Sequence, residues 1–466
     1  MEQKTSRQAE LRRLPSVEEV LQVPALAPWI ETLSRAVVTA VVRDQLASIR
    51  KAVVDGADCP DESAIHGRIA AALKQKSLST LRPVINATGV ILHTNLGRAP
   101  LSKAAIQALT EVAAGYSNLE LDLSSGKRGR RAPFMEELVR HLTGAESALV
   151  VNNNAAALLL ALGTLANGKE VIISRGELVQ IGGGFRIPDI LQQSGAKLKE
   201  VGTTNQTYAS DYEKAIGPDT AMILRVHHSN FRMLGFTHQA ERRDLAALAE
   251  RHNILLVEDL GSGAVADTAA FGMEHEPTPA DSLAAGVHLV CFSGDKILGG
   301  PQAGILAGRK TLVEQMRRHP LLRAIRVDKL QAAALQATLI DYLKGEPEKR
   351  NPVWQMLSAT IDSLRLRAEE LAATLKNAGI AAEATPCTSA MGGGSLPEQD
   401  MPSYGVTVTP AYPVNEEEEK LRTGETPIMA RIEEDRLVLD LRTVLPGQDD
   451  TLVKALCDSL SEAPLR

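Results

Sequence analysis

Apolar residues in this chain change their spacing near residue 82. Before it they recur every three or four positions, with Ile30, Leu33, Val37, Val41 and Val42 in one run and Ile65, Ile69 and Leu73 in another. That period predicts amphipathic helices over 29–49 and 62–76. A shorter helix opens at Glu18, where Ser16 is placed to cap it. From Ala148 onward, short unbroken apolar runs alternate with helical stretches. Strands are predicted at 148–151, 171–173, 197–201, 222–226, 254–257, 289–292 and 303–307, and helices at 155–166, 187–194, 241–252 and 311–319. Such alternation builds a mostly parallel sheet covered on both faces. Segments 331–343 and 358–377 read as long helices, and 405–408, 428–432 and 436–441 as strands. The expected organisation is a helical domain at 1–82, a large α/β domain at 83–330, connecting helices at 331–378 and a small α+β domain at 379–466. Gly392-Gly393-Gly394 is expected to be a mobile turn.

Polar residues collect where the predicted strands end: Asn152-Asn153-Asn154, Arg175, His227 to Asn230, Asp259, and Ser293-Gly294-Asp295-Lys296. In open α/β sheets that rim is where ligands bind. Lys296 stands between a buried apolar run and Ile297-Leu298. A lysine poorly solvated there favours its neutral, nucleophilic form, which condenses with aldehydes such as pyridoxal phosphate. The plain alternative is a turn lysine in water. A pyridoxal phosphate site also needs an acid at the ring nitrogen and a helix start for the phosphate. Asp259 and Asn153-Asn154-Ala155 supply these, although a turn aspartate and simple helix capping by asparagine account for them equally well. Arg323 and Arg326, three apart, would share a helical face and clamp an anion, or form an ordinary surface pair. The basic loop 126–131 could hold phosphate or be a solvated charge run.

Composition narrows the classes. Apolar residues at 44% and charged residues at 23% describe a globular chain. Aromatics at 3% argue against a stacking platform for single strands, and a net charge of -6 gives no global pull towards nucleic acid. RNA contact, if any, must be local. Residues 1–82 carry 12 Lys+Arg against 10 Asp+Glu, a local +2 that suits RNA or merely a solvated helical surface. Four separated cysteines without a CxxC pair fit a reducing compartment and no structural zinc site. The charged N-terminus does not read as a signal peptide, and the longest apolar stretch, 155–166, is too short to span a bilayer. A cytoplasmic protein is expected, with no membrane and no DNA partner.

The motifs then add a resemblance. Ile85-Asn86-Ala87-Thr88-Gly89-Val90-Ile91-Leu92-His93-Thr94-Asn95-Leu96-Gly97-Arg98 resembles the opening signature of the bacterial L-seryl-tRNA(Sec) selenium transferases (selenocysteine synthases). Arg175-Gly176-Glu177-Leu178-Val179, Gly202-Thr203-Thr204-Asn205, Glu258 to Gly263, Ser293 to Lys296, Ile325 to Lys329 and Arg431 to Val444 continue it over essentially the whole chain. The resemblance implies a fold-type I pyridoxal phosphate-dependent transferase with Lys296 as the Schiff-base lysine. It implies Asp259 at the pyridinium nitrogen, and Asn153, Asn154 and Ala155 at the phosphate, with Ser293 among the cofactor-binding residues. Arg98, Arg323 and Arg326 match family arginines that bind the donor, selenophosphate. The implied reaction turns seryl-tRNA(Sec) into selenocysteinyl-tRNA(Sec) through an aldimine and a dehydroalanyl-tRNA. The implied assembly is a ring-shaped homo-oligomer, a decamer, whose N-terminal domain grips the tRNA. The rivals are a pyridoxal phosphate lyase acting on a small phosphorylated amino acid or amino sugar acid, and a non-catalytic RNA-binding protein. Asp295, Arg442 and the 126–131 loop have no assigned role, and Gly182-Gly183-Gly184 fits the pattern loosely.

Overall fold

The computed structural model describes residues 10–77, 81–181, 184–410 and 413–460. The first nine residues and Gly182-Gly183 lie outside them. The chain divides into two compact units, Met1–Pro83 and Val84–Arg466.

The first unit is helical: Val17–Leu21, Ala27–Leu33, Arg35–Val54 and Glu62–Ser77. Ser16 and Glu19 form a reciprocal capping box at the first helix. Val38, Val42, Leu46 and Ile49 meet Ile65, Ile69 and Leu73 in one buried cluster. The single helix expected over 29–49 is broken at Ser34, whose φ of 76° stops Ala27–Leu33 before Arg35–Val54 begins.

The second unit contains sixteen short to medium strands among its described residues. They are β1 (Ile85–Asn86), β2 (Val90–Leu92), β3 (Ser147–Val151), β4 (Glu170–Ser174), β5 (Gln180–Ile181), β6 (Phe185–Arg186), β7 (Lys197–Val201) and β8 (Thr220–Val226). After them come β9 (Leu255–Gly261), β10 (Leu289–Ser293), β11 (Gly304–Gly308), β12 (Ala382–Gly392), β13 (Asp400–Val408), β14 (Ile428–Met429), β15 (Arg431–Glu433) and β16 (Arg436–Asp440). The central sheet has the order β3-β11-β10-β9-β8-β4-β7. All its neighbours run parallel except β11, which is antiparallel to both β10 and β3. Alternate residues feed two cores, one on each face: Val150, Ile172, Ile223, Leu256 and Val290 on one, Val151, Ile173, Leu224, Val257 and Cys291 on the other.

The same alternation separates two adjacent carboxylates. Strand β9 runs on through Glu258 and Asp259 rather than stopping at residue 257. Glu258 therefore points to one face, where it pairs with Arg225 (3.0 Å) on β8 and Arg242 (2.9 Å). Asp259 points with Val257 to the other and lies in register with Cys291.

The smaller sheet, β15-β16-β13-β12-β2, packs on helices Ile361–Asn377 and Asp449–Leu460. Its composition corrects the expected boundaries in two places. Strands β1 and β2, placed with the large domain in the sequence reading, pair with β14 and β12 near the C-terminus. The expected connecting segment is divided between cores: Leu335, Leu339, Val353 and Trp354 join the central-sheet core, while Leu364, Leu371 and Leu375 join the small one.

Candidate active site

Lys296 lies in the turn between β10 and β11. Gly294 N–H donates to Ala303 O (2.8 Å), Gly300 N–H to Gly294 O (2.9 Å), Gly299 N–H to Lys296 O (2.9 Å) and Ile297 N–H to Ser262 O (3.1 Å). Buried polar side chains from behind hold the same turn. Tyr342 Oη donates to Leu298 O (2.9 Å), Asn351 Nδ2 to Leu298 O (3.0 Å) and Trp354 Nε1 to Ile297 O (3.1 Å). A turn fixed on both sides gives the lysine one location, and only 5% of Lys296 is exposed. Burial pushes its amine below the usual lysine range; the Asp259 charge opposes this, and the Arg98 guanidinium adds to it.

Asp259 is also buried. Its Oδ1 accepts from Asn154 Nδ2 at 2.8 Å. Burial pushes its carboxyl above the ordinary range, against the pull of the Asn154 amide, the Lys296 charge and the Cys291 thiol. Asn153 Oδ1 caps helix Asn154–Leu165 by accepting from Ala156 N–H (2.9 Å), and Ala157 N–H reaches Asn153 O (3.1 Å). The N–H groups of Asn154 and Ala155 at this helix start have no carbonyl one turn back. The asparagine side chains thus cap the helix and orient the acid, which leaves the backbone for an anion. Ser293 is buried at the end of β10, opposite Gly304.

Arg98 approaches from the segment after β2, with its own φ at 65°. Its Nη1 lies 2.7 Å from Asp295 Oδ2, which gives Asp295 a partner. Gly394 closes the other side. A Cβ built there would stand 2.5 Å from Lys296 Nζ, and its φ is 90°. The glycine turn expected to be mobile is packed onto the lysine.

Arg323 and Arg326 are arranged differently from the shared helical face expected of them. Helix Leu321–Ile325 ends before Arg326, whose ψ of 145° is extended. The cause is pairing: Asn152 N–H donates to Ile325 O (2.8 Å), and Arg326 bridges Val151 at the end of β3. Both side chains line a cavity of about 590 Å³ with Arg130, Arg131, Arg317 and Glu120, whose lining includes none of Lys296, Asp259 or Arg98. Glu120 takes up much of the 126–131 loop, pairing with Arg128 and Arg131 at 2.7 Å each. Arg442 is buried, its guanidinium donating to Met356 O (2.7 Å), Ala359 O (3.1 Å) and Pro402 O (2.7 Å). Its place is a clamp on backbone.

Residues 84–445 match the family model described as L-seryl-tRNA selenium transferase, and 11–50 match one described as selenocysteine synthase N terminal. The chain is 48% identical to an L-seryl-tRNA(Sec) selenium transferase of Moorella thermoacetica, covering 97% of each. It is 45% identical to one of Carboxydothermus hydrogenoformans, covering 94% of this chain and 96% of that protein. The chain belongs to the L-seryl-tRNA selenium transferase family. Among solved structures, D-glucosaminate-6-phosphate ammonia-lyase superposes with a TM-score of 0.57 at 21% identity, covering 82% of this chain and 97% of that one. The shared fold is the fold-type I architecture of pyridoxal phosphate enzymes.

The residues around Lys296 fit that cofactor. Gly261 and Gly394 leave the amine without a neighbouring Cβ. Asn154 Oδ1 is buried without a hydrogen-bond partner among the described residues. Sequence reasoning missed Tyr342, which reads as an ordinary helix residue, Asn351 and Trp354, which lie between the two long predicted helices, and Glu276, which no motif marks. His227 was visible only as part of a polar strand end.

Proposed function

We propose that this transferase binds pyridoxal 5'-phosphate through Lys296 and uses it to convert seryl-tRNA(Sec) into selenocysteinyl-tRNA(Sec), with selenophosphate as donor. The observation that carries this reading is a buried amine with lowered proton affinity, facing a buried carboxyl, in a chain of this family. When bound, the cofactor supplies an aldehyde for the lysine and an electron sink for charge developing at Cα. Asp259, set by Asn154, holds a proton at the ring nitrogen, and its raised proton affinity suits a shared proton better than a strong acid would. The N–H groups of Asn154 and Ala155 take the phosphate, with Ser293 beside the turn. With the cofactor bound, Lys296 would be the base that takes the Cα proton.

Within one chain Arg98 is the arginine beside Lys296, so it is assigned to the anionic donor. Arg323 and Arg326 are assigned to the same anion in the homo-oligomer, a decameric ring, where an adjoining copy supplies them. Residues 1–82 are assigned to gripping the tRNA, and the substrate places the reaction in the cytoplasm. The test of the cofactor assignment is spectroscopic. Purified protein should carry a yellow chromophore that Lys296→Ala removes while circular dichroism is retained. Native protein that stays colourless with added pyridoxal phosphate would overturn it.

A further inference from the structure

Three buried or half-buried polar side chains near Lys296, His227, Ser262 and Glu276, belong to one cluster that the reaction described so far does not use. His227 follows β8, and its N–H donates to the Asp259 carbonyl at 2.9 Å, which anchors it beside the strand that carries the acid. Its Nε2 lies 3.1 Å from Glu276 Oε1, an ion-pair distance without hydrogen-bond alignment. Glu276 is 2% exposed, and so deep a carboxylate needs a partner to remain charged. Burial pushes it up, but the His227 imidazole, the Ser262 hydroxyl and the Leu396 N–H outweigh burial and hold it below the ordinary range. The same carboxylate acts on the Lys296 amine. The imidazole keeps 22% of its side chain exposed, while its Nε2 is buried against Glu276.

Loss of a hydroxyl from the seryl β-carbon needs an acid, because hydroxide leaves poorly without a proton. Lys296, once it has taken the Cα proton, is the competing acid, and Asp259 is engaged at the ring nitrogen. Arg98 does not give up protons, and Ser262 is too weak an acid. An imidazole changes charge in the working range. We propose that His227 protonates the oxygen leaving the seryl β-carbon and that Glu276 is the positioning residue that holds its imidazole. The inference rests on the proposed function. In the step, the Cα–H bond breaks and its proton goes to Lys296 Nζ. The electron pair of that bond forms the Cα=Cβ double bond. The Cβ–O bond breaks with its pair on oxygen, which takes a proton from the imidazolium and leaves as water. The neutral imidazole regains a proton from solvent. The charged and titratable groups facing it are Glu276, His228 on its own loop and, beyond Glu276, Lys296.

The test compares seryl-tRNA(Sec) with 3-chloroalanyl-tRNA(Sec), whose chloride leaves without a proton, in native, His227→Gln, His227→Asn and Glu276→Gln proteins. Elimination from the seryl substrate should fall about a hundredfold in the His227 variants and about tenfold in E276Q. Chloride elimination should stay within about threefold of native, and solvent deuterium should still enter the seryl Cα. Affinity of the unloaded variants for pyridoxal phosphate, read by absorbance titration, should also stay within about threefold. Equal slowing of both substrates, undiminished seryl elimination, or a loss of cofactor affinity of about tenfold or more would each overturn the proposal. Native protein inactive on both tRNAs would overturn the proposed function, and the dyad with it.

Discussion

The chemistry proposed for Lys296 rests on what surrounds it more than on its place in a motif. Burial lowers its proton affinity, so the neutral amine appears at lower pH than on an exposed lysine, whose pKa is about 10.4. Capture of pyridoxal phosphate by unloaded protein should therefore quicken as pH rises and level off below that value. Asp259→Asn removes a charge that holds the proton on, and should move the midpoint lower still. Stopped-flow absorbance against pH reads both, and a midpoint at the ordinary lysine value would contradict the assignment. Gly394 is the second sensitive point. A methyl there meets Lys296 Nζ, and a φ of 90° costs an L-residue about 1 kcal/mol or more. Gly394→Ala should weaken cofactor binding at least tenfold, measured by absorbance titration, with only a small loss of stability. The sequence made Lys296 and Asp259 legible as a pair at the ends of neighbouring strands. It could not show Gly394, which reaches the lysine from a segment far from it in sequence, or Glu276, which follows no strand and lies in no motif.

At the scale of elements, the β10–β11 turn is held by helices that look generic in sequence. Asn351 does two jobs: its Oδ1 caps helix Pro352–Ser358 through Val353 N–H (3.0 Å), and its Nδ2 holds the turn carbonyls. Asn351→Ala should cost about 2 kcal/mol, a lost cap plus a buried carbonyl left unsatisfied, and should loosen the cofactor. Urea unfolding and cofactor titration check it, and an unchanged midpoint would show that the turn stands without this support. The central strands and most helices were readable from hydrophobic spacing, because strands buried on both faces are continuous apolar runs. The failures have local causes. Strand β12 holds Pro386 and alternating polar residues, so its pattern reads as a loop. The Glu258-Asp259 pair looks like a strand end until half-buried arginines are found to pair with Glu258. Arg326 looks helical because nothing in its own neighbourhood announces its bridge to Val151.

On the scale of the whole molecule, the two units differ in charge. Residues 1–82 carry 12 − 10 = +2, so the remaining residues carry −6 − 2 = −8. An overall negative catalytic unit gives no general attraction for tRNA, which is why gripping it is assigned to the helical unit. Protein beginning at residue 84 should keep the Lys296 chromophore and lose salt-dependent affinity for the tRNA, measured by filter binding at several salt concentrations. Unchanged affinity would place the tRNA contact elsewhere and remove the first unit's assigned role.

The central claim is selenium transfer at Lys296 to an amino acid still esterified to its tRNA. The most direct measurement incubates cofactor-loaded protein with seryl-tRNA(Sec) and selenophosphate and identifies the aminoacyl group by mass spectrometry. Selenocysteinyl-tRNA(Sec) should form with the native protein and be absent with Lys296→Ala. Seryl-tRNA recovered unchanged by a protein that carries the chromophore and eliminates ammonia from a small phosphorylated amino sugar acid would contradict the account.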